Sequence, residues 1–157
     1  MIQGFARGLA SVRSTGPGMQ LSLGIDPHSK DDVVLQVKYP APNGNPAARD
    51  VWCDAETRDW ASARAISFRV KPEHALRLSV SFQDRLGVAY TSWVDLRAGE
   101  WQTVRVAFSD IRPNPYFQPP NARLGMPIDV SDVARIGFAP QDQAAGSLEI
   151  GRLVLTD

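Results

Sequence analysis

The sequence predicts an all-β chain folded as a β-sandwich or jelly roll, and three observations carry that prediction. Twelve Gly and twelve Pro cut the 157 residues into short runs. Within those runs apolar and polar residues alternate with period two, as in strands that bury one face. No window longer than about ten residues keeps a helical period, and the even spacing of the runs suits a sandwich better than βαβ units.

Ten runs read as strands, in order: Phe5 to Val12, Met19 to Ile25, Val33 to Tyr39, Asp50 to Asp54, Ala65 to Val70, Leu76 to Gln83, Val88 to Leu96, Trp101 to Phe108, Ala134 to Ala139 and Ser147 to Leu155. The run 76 to 83, "LRLSVSFQ", is the clearest. Leu76, Leu78, Val80 and Phe82 share one face, and Arg77, Ser79, Ser81 and Gln83 share the other. "AISFRV" sends Ile66, Phe68 and Val70 inward, and "WQTVRVAF" does the same with Val104, Val106 and Phe108. Phe68, Val80, Phe82, Val106, Phe108 and Phe138 are therefore the expected core. "DAETRDWASARA" has some helix-favouring composition and is expected to hold no more than a short turn near Trp60. Residues 112 to 132 break the spacing. Their five prolines exclude a helix or a central strand, and Tyr116 and Phe117 argue for an ordered loop, either pinned to the sandwich or displaying its aromatics to a ligand.

Composition narrows the function classes. Seventeen basic and seventeen acidic residues give a formal net charge of zero, so the electrostatic footprint of a nucleic-acid binder is missing. The apolar runs are too short to span a membrane, and residues 1 to 25 hold no signal-like apolar core; the chain reads as one soluble domain, 1 to 157. It reads equally as a module excised from a longer protein, secreted or extracellular in that case. The single cysteine, Cys53, can form neither an intrachain disulfide nor a structural zinc site alone and reads as a small buried hydrophobe.

The order of the motifs says more than any one of them. "RDWASARAISFRV", "LRLSVSFQDRLGVAYTSWVDL", "GEWQTVRVAFSDI", a variable loop, "IDVSDVARIGFAP" and "GSLEIGRLVL" follow one another from about Asp59 to Leu155. This series resembles the carbohydrate-binding modules with a galactose-binding-like jelly roll, notably family 11, and the related complex I intermediate-associated protein 30-like domains. The resemblance implies non-catalytic binding of a polysaccharide, β-glucan foremost, across a concave sheet face, with a tethered glycoside hydrolase as a further expected partner. It makes Trp101 a framework residue. Such domains often carry a structural calcium held by acids near the N-terminus and in the last strand. Here Gly151 and Arg152 stand where the latter acids would be, so no metal site is assigned, although Glu149, Asp31 and Asp32 are near in sequence or motif.

A pyranose ring offers an apolar C–H face to an aromatic ring and hydroxyls to planar polar groups. On that logic the candidate ligand-binding residues are Trp52, Asp54, Trp93, Tyr116 and Phe117, with Arg77 and Gln83 on the floor. Trp93 is out of phase with Val94 and Leu96 and so stands beside Thr91 and Asp95 on the outer face. Trp52 alternates with Val51 and Cys53, which puts it between Asp50 and Asp54 on one edge. Both indoles suit a core as well. Two other functions stay open: a protein-interaction or assembly domain using the same face, and a small carbohydrate-active hydrolase or lyase. For the last, Asp54 and Asp95 are the carboxylates to consider, because His28 and His74 sit in loops with no motif around them. No cofactor is expected.

Overall fold

A computed structural model describes residues 1–5, 7–44, 49–116 and 118–157. Among these residues eleven strands form: β1 Val12–Ser14, β2 Gln20–Asp26, β3 Ser29–Tyr39, β4 Val51–Asp54, β5 Ala65–Pro72, β6 Leu76–Asp84, β7 Ala89–Leu96, β8 Gln102–Ala107, β9 Arg112–Pro113, β10 Val133–Pro140 and β11 Gly146–Thr156. They build two antiparallel sheets, one six-stranded in the order β1-β4-β10-β6-β7-β9 and one five-stranded in the order β2-β3-β11-β5-β8. The sheets face each other over one core, as their alternating pattern requires.

Leu78, Val80 and Phe82 of β6, Ile136 and Phe138 of β10, and Val51 and Cys53 of β4 are buried from one side. Leu35 and Val37 of β3, Ile66, Phe68 and Val70 of β5, and Leu148, Ile150 and Leu153 of β11 meet them from the other. Phe68 and Phe138 make an edge-to-face contact across the seam at 5.3 Å. On β11 the inward phase passes from Ile150 to Leu153 because a register shift lies between them. Gly151 and Arg152 thus occupy a bulge, which explains the break in alternation at "IGRL".

Two expectations need correction. Phe5 to Val12 is not a strand: Phe5 adopts a φ of 58°, Gly8 a φ of 65°, and residues Gly8–Ser11 form a 3-10 turn, leaving only Val12–Ser14 extended. These backbone angles lie outside the β region, so the chain turns here instead of joining a sheet, burying Phe5 in the core and leaving Leu9 exposed. Phe108 is the second. Chain direction changes at Ala107, Phe108–Asp110 form a 3-10 turn, and the ring is only partly buried, whereas the other five expected core residues are buried. No helix forms around Trp60; a turn follows it at 61–62.

The outer face of the five-stranded sheet carries a polar clamp. Arg69 of β5 grips Asp26 of β2 through both carboxylate oxygens, at 2.8 and 2.9 Å, and donates to Nδ1 of His28 at 2.6 Å. The guanidinium lies 4.7 Å from the centre of the Trp101 ring, where a cation–π contact adds to the hydrogen bonds. Burial alone would raise the Asp26 pKa. The His28 backbone N–H and the Arg69 guanidinium outweigh it and hold the carboxyl below its ordinary value. Trp101 is a framework residue for this reason, and nothing of the clamp faces the other sheet's outer surface.

Candidate functional site

The outer face of the six-stranded sheet is concave, and the side-chain sizes along it explain the shape. Strand pairing sets Ser79 opposite Trp93, Ser81 opposite Thr91 and Gly137 opposite Trp52. The centre of the face therefore carries Ser79, Ser81, Thr91, Gly137 and Ala139, while large side chains rise on β4 and β7. The result is a groove of about 690 Å³, lined among others by Asp50, Trp52, Ser81, Gln83, Trp93 and Tyr116. Since β10 and β6 separate β4 from β7, Trp52 and Trp93 stand about three strand spacings apart, roughly 14 Å.

Trp52 lies flat because of Gly137. A Cβ at that position would come within 2.8 to 2.9 Å of three carbons of the indole, so only glycine lets the ring rest on β10 and turn its other face to the groove. Trp93 on the opposite wall is 46% exposed, and Tyr116 beyond it is 79% exposed. Between the walls lies a floor of hydroxyls. Ser79, Ser81 and Thr91 form a closed triangle with Oγ to Oγ1 or Oγ distances of 3.0 to 3.3 Å. Each hydroxyl can donate or accept, so the triangle can reorient toward a polar ligand without moving a heavy atom.

The loop that carries Tyr116 is fixed by a residue the sequence reading passed over. The Gln118 amide pairs with both backbone groups of Ala89, accepting from its N–H at 3.0 Å and donating to its carbonyl at 2.6 Å, and it donates to Asn114 O at 2.8 Å. Asn114 N–H also reaches the Ala89 carbonyl at 2.9 Å, and the Tyr116 N–H is received by Asn114 Oδ1 at 2.9 Å. A glutamine side chain thus extends the β7 ladder and holds the proline-rich loop at the groove's rim. No spacing rule would have found it.

Of the residues singled out from sequence, Trp52, Gln83, Trp93 and Tyr116 line one groove. Phe117 lies outside the described residues. Asp54 shares the face with Trp52 but stands outside this lining, tied to Arg135 Nε at 3.2 Å and to Arg13 at 3.4 Å. Arg77 likewise lies on this face beyond the groove and bonds Asp95 at 3.0 Å. Asp50, which the alternation placed beside Trp52, does line the groove. Its main chain exchanges hydrogen bonds with Thr15, and burial pushes its carboxyl up to about 6.

The pair Asp54 and Asp95 does not form a hydrolytic site. These residues are on β4 and β7, not on neighbouring strands, and the register sets Asp54 level with Ala89, far along β7 from Asp95, so even the roughly 14 Å across the intervening strands understates a separation well beyond the ~6.5 to 9.5 Å that two carboxyls span in inverting glycosidases. The hydrogen bond and charge of Arg77 also hold Asp95 below its usual range, the opposite of what a general acid needs. As for a calcium ion, Arg152 reaches Asp32 at 3.2 Å and Lys71 faces Glu149 at 3.7 Å. Asp32 and Glu149 are thus matched by the chain's own cations, and the described residues contain no cluster of three or more ligating side chains.

This fold is shared with known carbohydrate-binding modules. A family 11 module from Clostridium thermocellum, in complex with a β-1,3-1,4-mixed-linked tetrasaccharide, superposes with a TM-score of 0.75 at 20% identity, covering 99% of this chain and 94% of that one. A family 30 carbohydrate-binding module matches with a TM-score of 0.58 at 12% identity over 96% of this chain and 80% of its own. An exo-β-agarase matches all of this chain with 25% of its own length, at a TM-score of 0.67 and 12% identity. The fold is therefore the galactose-binding-like jelly roll foreseen from the motif order. No family model matches the sequence, and no curated protein does either.

Proposed function

We propose that this domain binds a neutral polysaccharide, foremost a β-glucan, in the groove on its six-stranded sheet and does not cleave it. One observation carries the reading: two indoles, one laid flat on Gly137, flank a floor of hydroxyls in a groove wider than a single sugar ring. Indole faces suit the C–H faces of pyranose rings, and the floor suits their hydroxyls. The lining contains two charged residues, Asp50 and Arg135, and Arg135 is already matched by Asp54. A polyanionic glycan has no cluster of cations to meet there. The likeness to the module that binds a mixed-linked tetrasaccharide supports the ligand class, and the occurrence of the fold within a quarter of an agarase chain supports attachment to a glycoside hydrolase.

Affinity electrophoresis against soluble mixed-linkage β-glucan, other neutral glycans and an acidic glycan tests this. Migration is expected to slow in a neutral glucan and to stay unchanged in the acidic one. Trp52→Ala and Trp93→Ala should each weaken binding by about 1 kcal/mol, roughly fivefold, since each removes one stacking platform. The melting temperature of Trp93→Ala should stay near that of the parent, because its ring covers no core. Failure of every glycan to retard the protein would move the same face to a polypeptide partner, and release of reducing ends would contradict the binding reading outright.

A further inference from the structure

We infer that Asp50 selects the ligand of this groove: its carboxylate accepts hydrogen bonds from two adjacent hydroxyls of the sugar stacked on Trp52. This rests on the glycan-binding reading above and names the residue that would give it a preference.

Asp50 is set apart by what its side chain lacks. It lies on the wall of the groove, partly buried, next to the flat indole of Trp52. Its backbone is satisfied, since its carbonyl accepts from the Thr15 N–H at 3.0 Å and its own N–H reaches Thr15 Oγ1 at 3.2 Å. Its carboxylate has no hydrogen-bond or ion-pair partner among the described residues. The cations that could serve it are turned elsewhere. Arg13 on β1 and Arg135 on β10 both go to Asp54, and Arg49, one residue away, is buried against backbone carbonyls and Asp142. Asp54, the acid that ends β4, is held by those two arginines. From the end of β10, Ala139 and Gln141 face the groove and carry no charge.

An unpaired, partly desolvated carboxylate is costly, and the cost shows in its proton affinity: burial, with no neighbouring charge contributing, raises the carboxyl to about 6. A group kept at that cost on the wall of a binding groove is a ready acceptor. Two carboxylate oxygens match two vicinal hydroxyls, and donors from the ligand restore the hydrogen bonds that burial removed. Only the ionised form can accept on both oxygens. Binding therefore draws the pKa down, releases a proton when it occurs below about pH 6, and strengthens as pH rises through that value. A uronate ring would instead present like charge to Asp50.

Titration calorimetry at pH 5, 6 and 7 with soluble β-1,3-1,4-glucan tests this on the wild type, Asp50→Asn and Trp52→Ala, with circular dichroism confirming the fold at each pH. Wild-type affinity is expected to be about five- to tenfold weaker at pH 5 than at pH 7, the ratio for a carboxyl falling from about 6 to about 5 or below on binding. Asp50→Asn should bind weakly with no pH slope. It should also be no less stable than the wild type at pH 7, because an amide avoids the cost of a buried charge. A flat wild-type profile, or an equal slope in Asp50→Asn, overturns the assignment. If Trp52→Ala loses binding while Asp50→Asn matches the wild type at every pH, the role of Asp50 falls and the glycan reading stands. Absence of any binding to the glucan by the wild type removes both.

Discussion

Replacing Arg49 with methionine is expected to destabilise the domain by about 3 to 5 kcal/mol, a large share of the ~5 to 15 kcal/mol that holds a domain of this kind folded. Arg49 is 1% exposed and uses its guanidinium as a hub. It donates to the carbonyls of Pro40 at 3.3 Å, Pro140 at 3.0 Å and Ala144 at 3.0 Å, and also to that of Asp142. The Asp142 carboxylate sits 3.5 Å away, and the Tyr39 ring lies beneath the guanidinium at 5.2 Å. One side chain thus satisfies the carbonyls of the turn between β10 and β11 and ties them to the end of β3. Methionine would fill most of the volume and leave those carbonyls unpaired, each at a cost of about 1 to 3 kcal/mol if it stays dry. Lysine should rescue only part of the loss, because a point ammonium cannot reach four carbonyls from one position. Urea denaturation of the three proteins measures both effects; a stability near that of the wild type for Arg49→Met would mean the turn is held by something else.

Trp60→Ala is expected to cost a similar amount, about 3 to 5 kcal/mol, with a fall in melting temperature on the order of 10 °C. The Trp60 side chain is fully buried. Its ring stacks on Phe108 at 5.9 Å and meets Phe82 edge-on at 6.0 Å, while its Nε1–H donates to Thr57 O at 2.7 Å. The backbone N–H of the same residue reaches Val130 O at 2.7 Å, which joins the β4–β5 connection to the loop before β10. Truncation opens a cavity where these three segments meet, and hydrogen bonds such as Val133 N–H to Arg58 O and Phe108 N–H to Arg64 O hold its walls in place. Differential scanning calorimetry reads the result. A small shift would show that this end of the sandwich collapses around the gap.

These two residues also mark what a single sequence conceals. Period-two alternation made the strands of β5, β6, β7 and β8 legible, because burial of one sheet face imposes it directly. The same rule put Trp93 on the outer face and Trp52 beside Asp50. It could not reveal strand order, so the separation of Asp54 from Asp95 by β10 and β6 was hidden until the sheet was assembled. Arg49 follows a Pro- and Gly-rich stretch, and an arginine there reads as solvated. Its burial depends on carbonyls about ninety residues away. Gln118 was silent for the same reason, since its partner Ala89 lies 29 residues earlier. The failed strand at Phe5 to Val12 shows the converse. Apolar residues in a short run satisfied the pattern, but a left-handed Phe5 and Gly8 turn the chain, so that Phe5 is buried and Leu9 is exposed.

The groove itself depends on residues whose contribution is absence. Gly137 gives Trp52 its place, and Ser79, Ser81 and Ala139 keep the centre low between the walls. Sequence reasoning looks for large or charged groups at a site, and so it found the walls of this one and missed what makes it concave.

The four tryptophans allow the central claim to be tested in one spectrum. Their indole N–H resonances, assigned by single substitution, can be followed by nuclear magnetic resonance during titration with a β-1,3-1,4-linked tetrasaccharide. Trp52 and Trp93 line the groove, Trp60 is sealed in the core, and Trp101 lies under Arg69 on the opposite sheet. The account predicts saturable shifts for Trp52 and Trp93 and none for Trp60 and Trp101. A shift of Trp101 without Trp52 and Trp93, or no shift of any indole with a neutral gluco-oligosaccharide in excess, would contradict it.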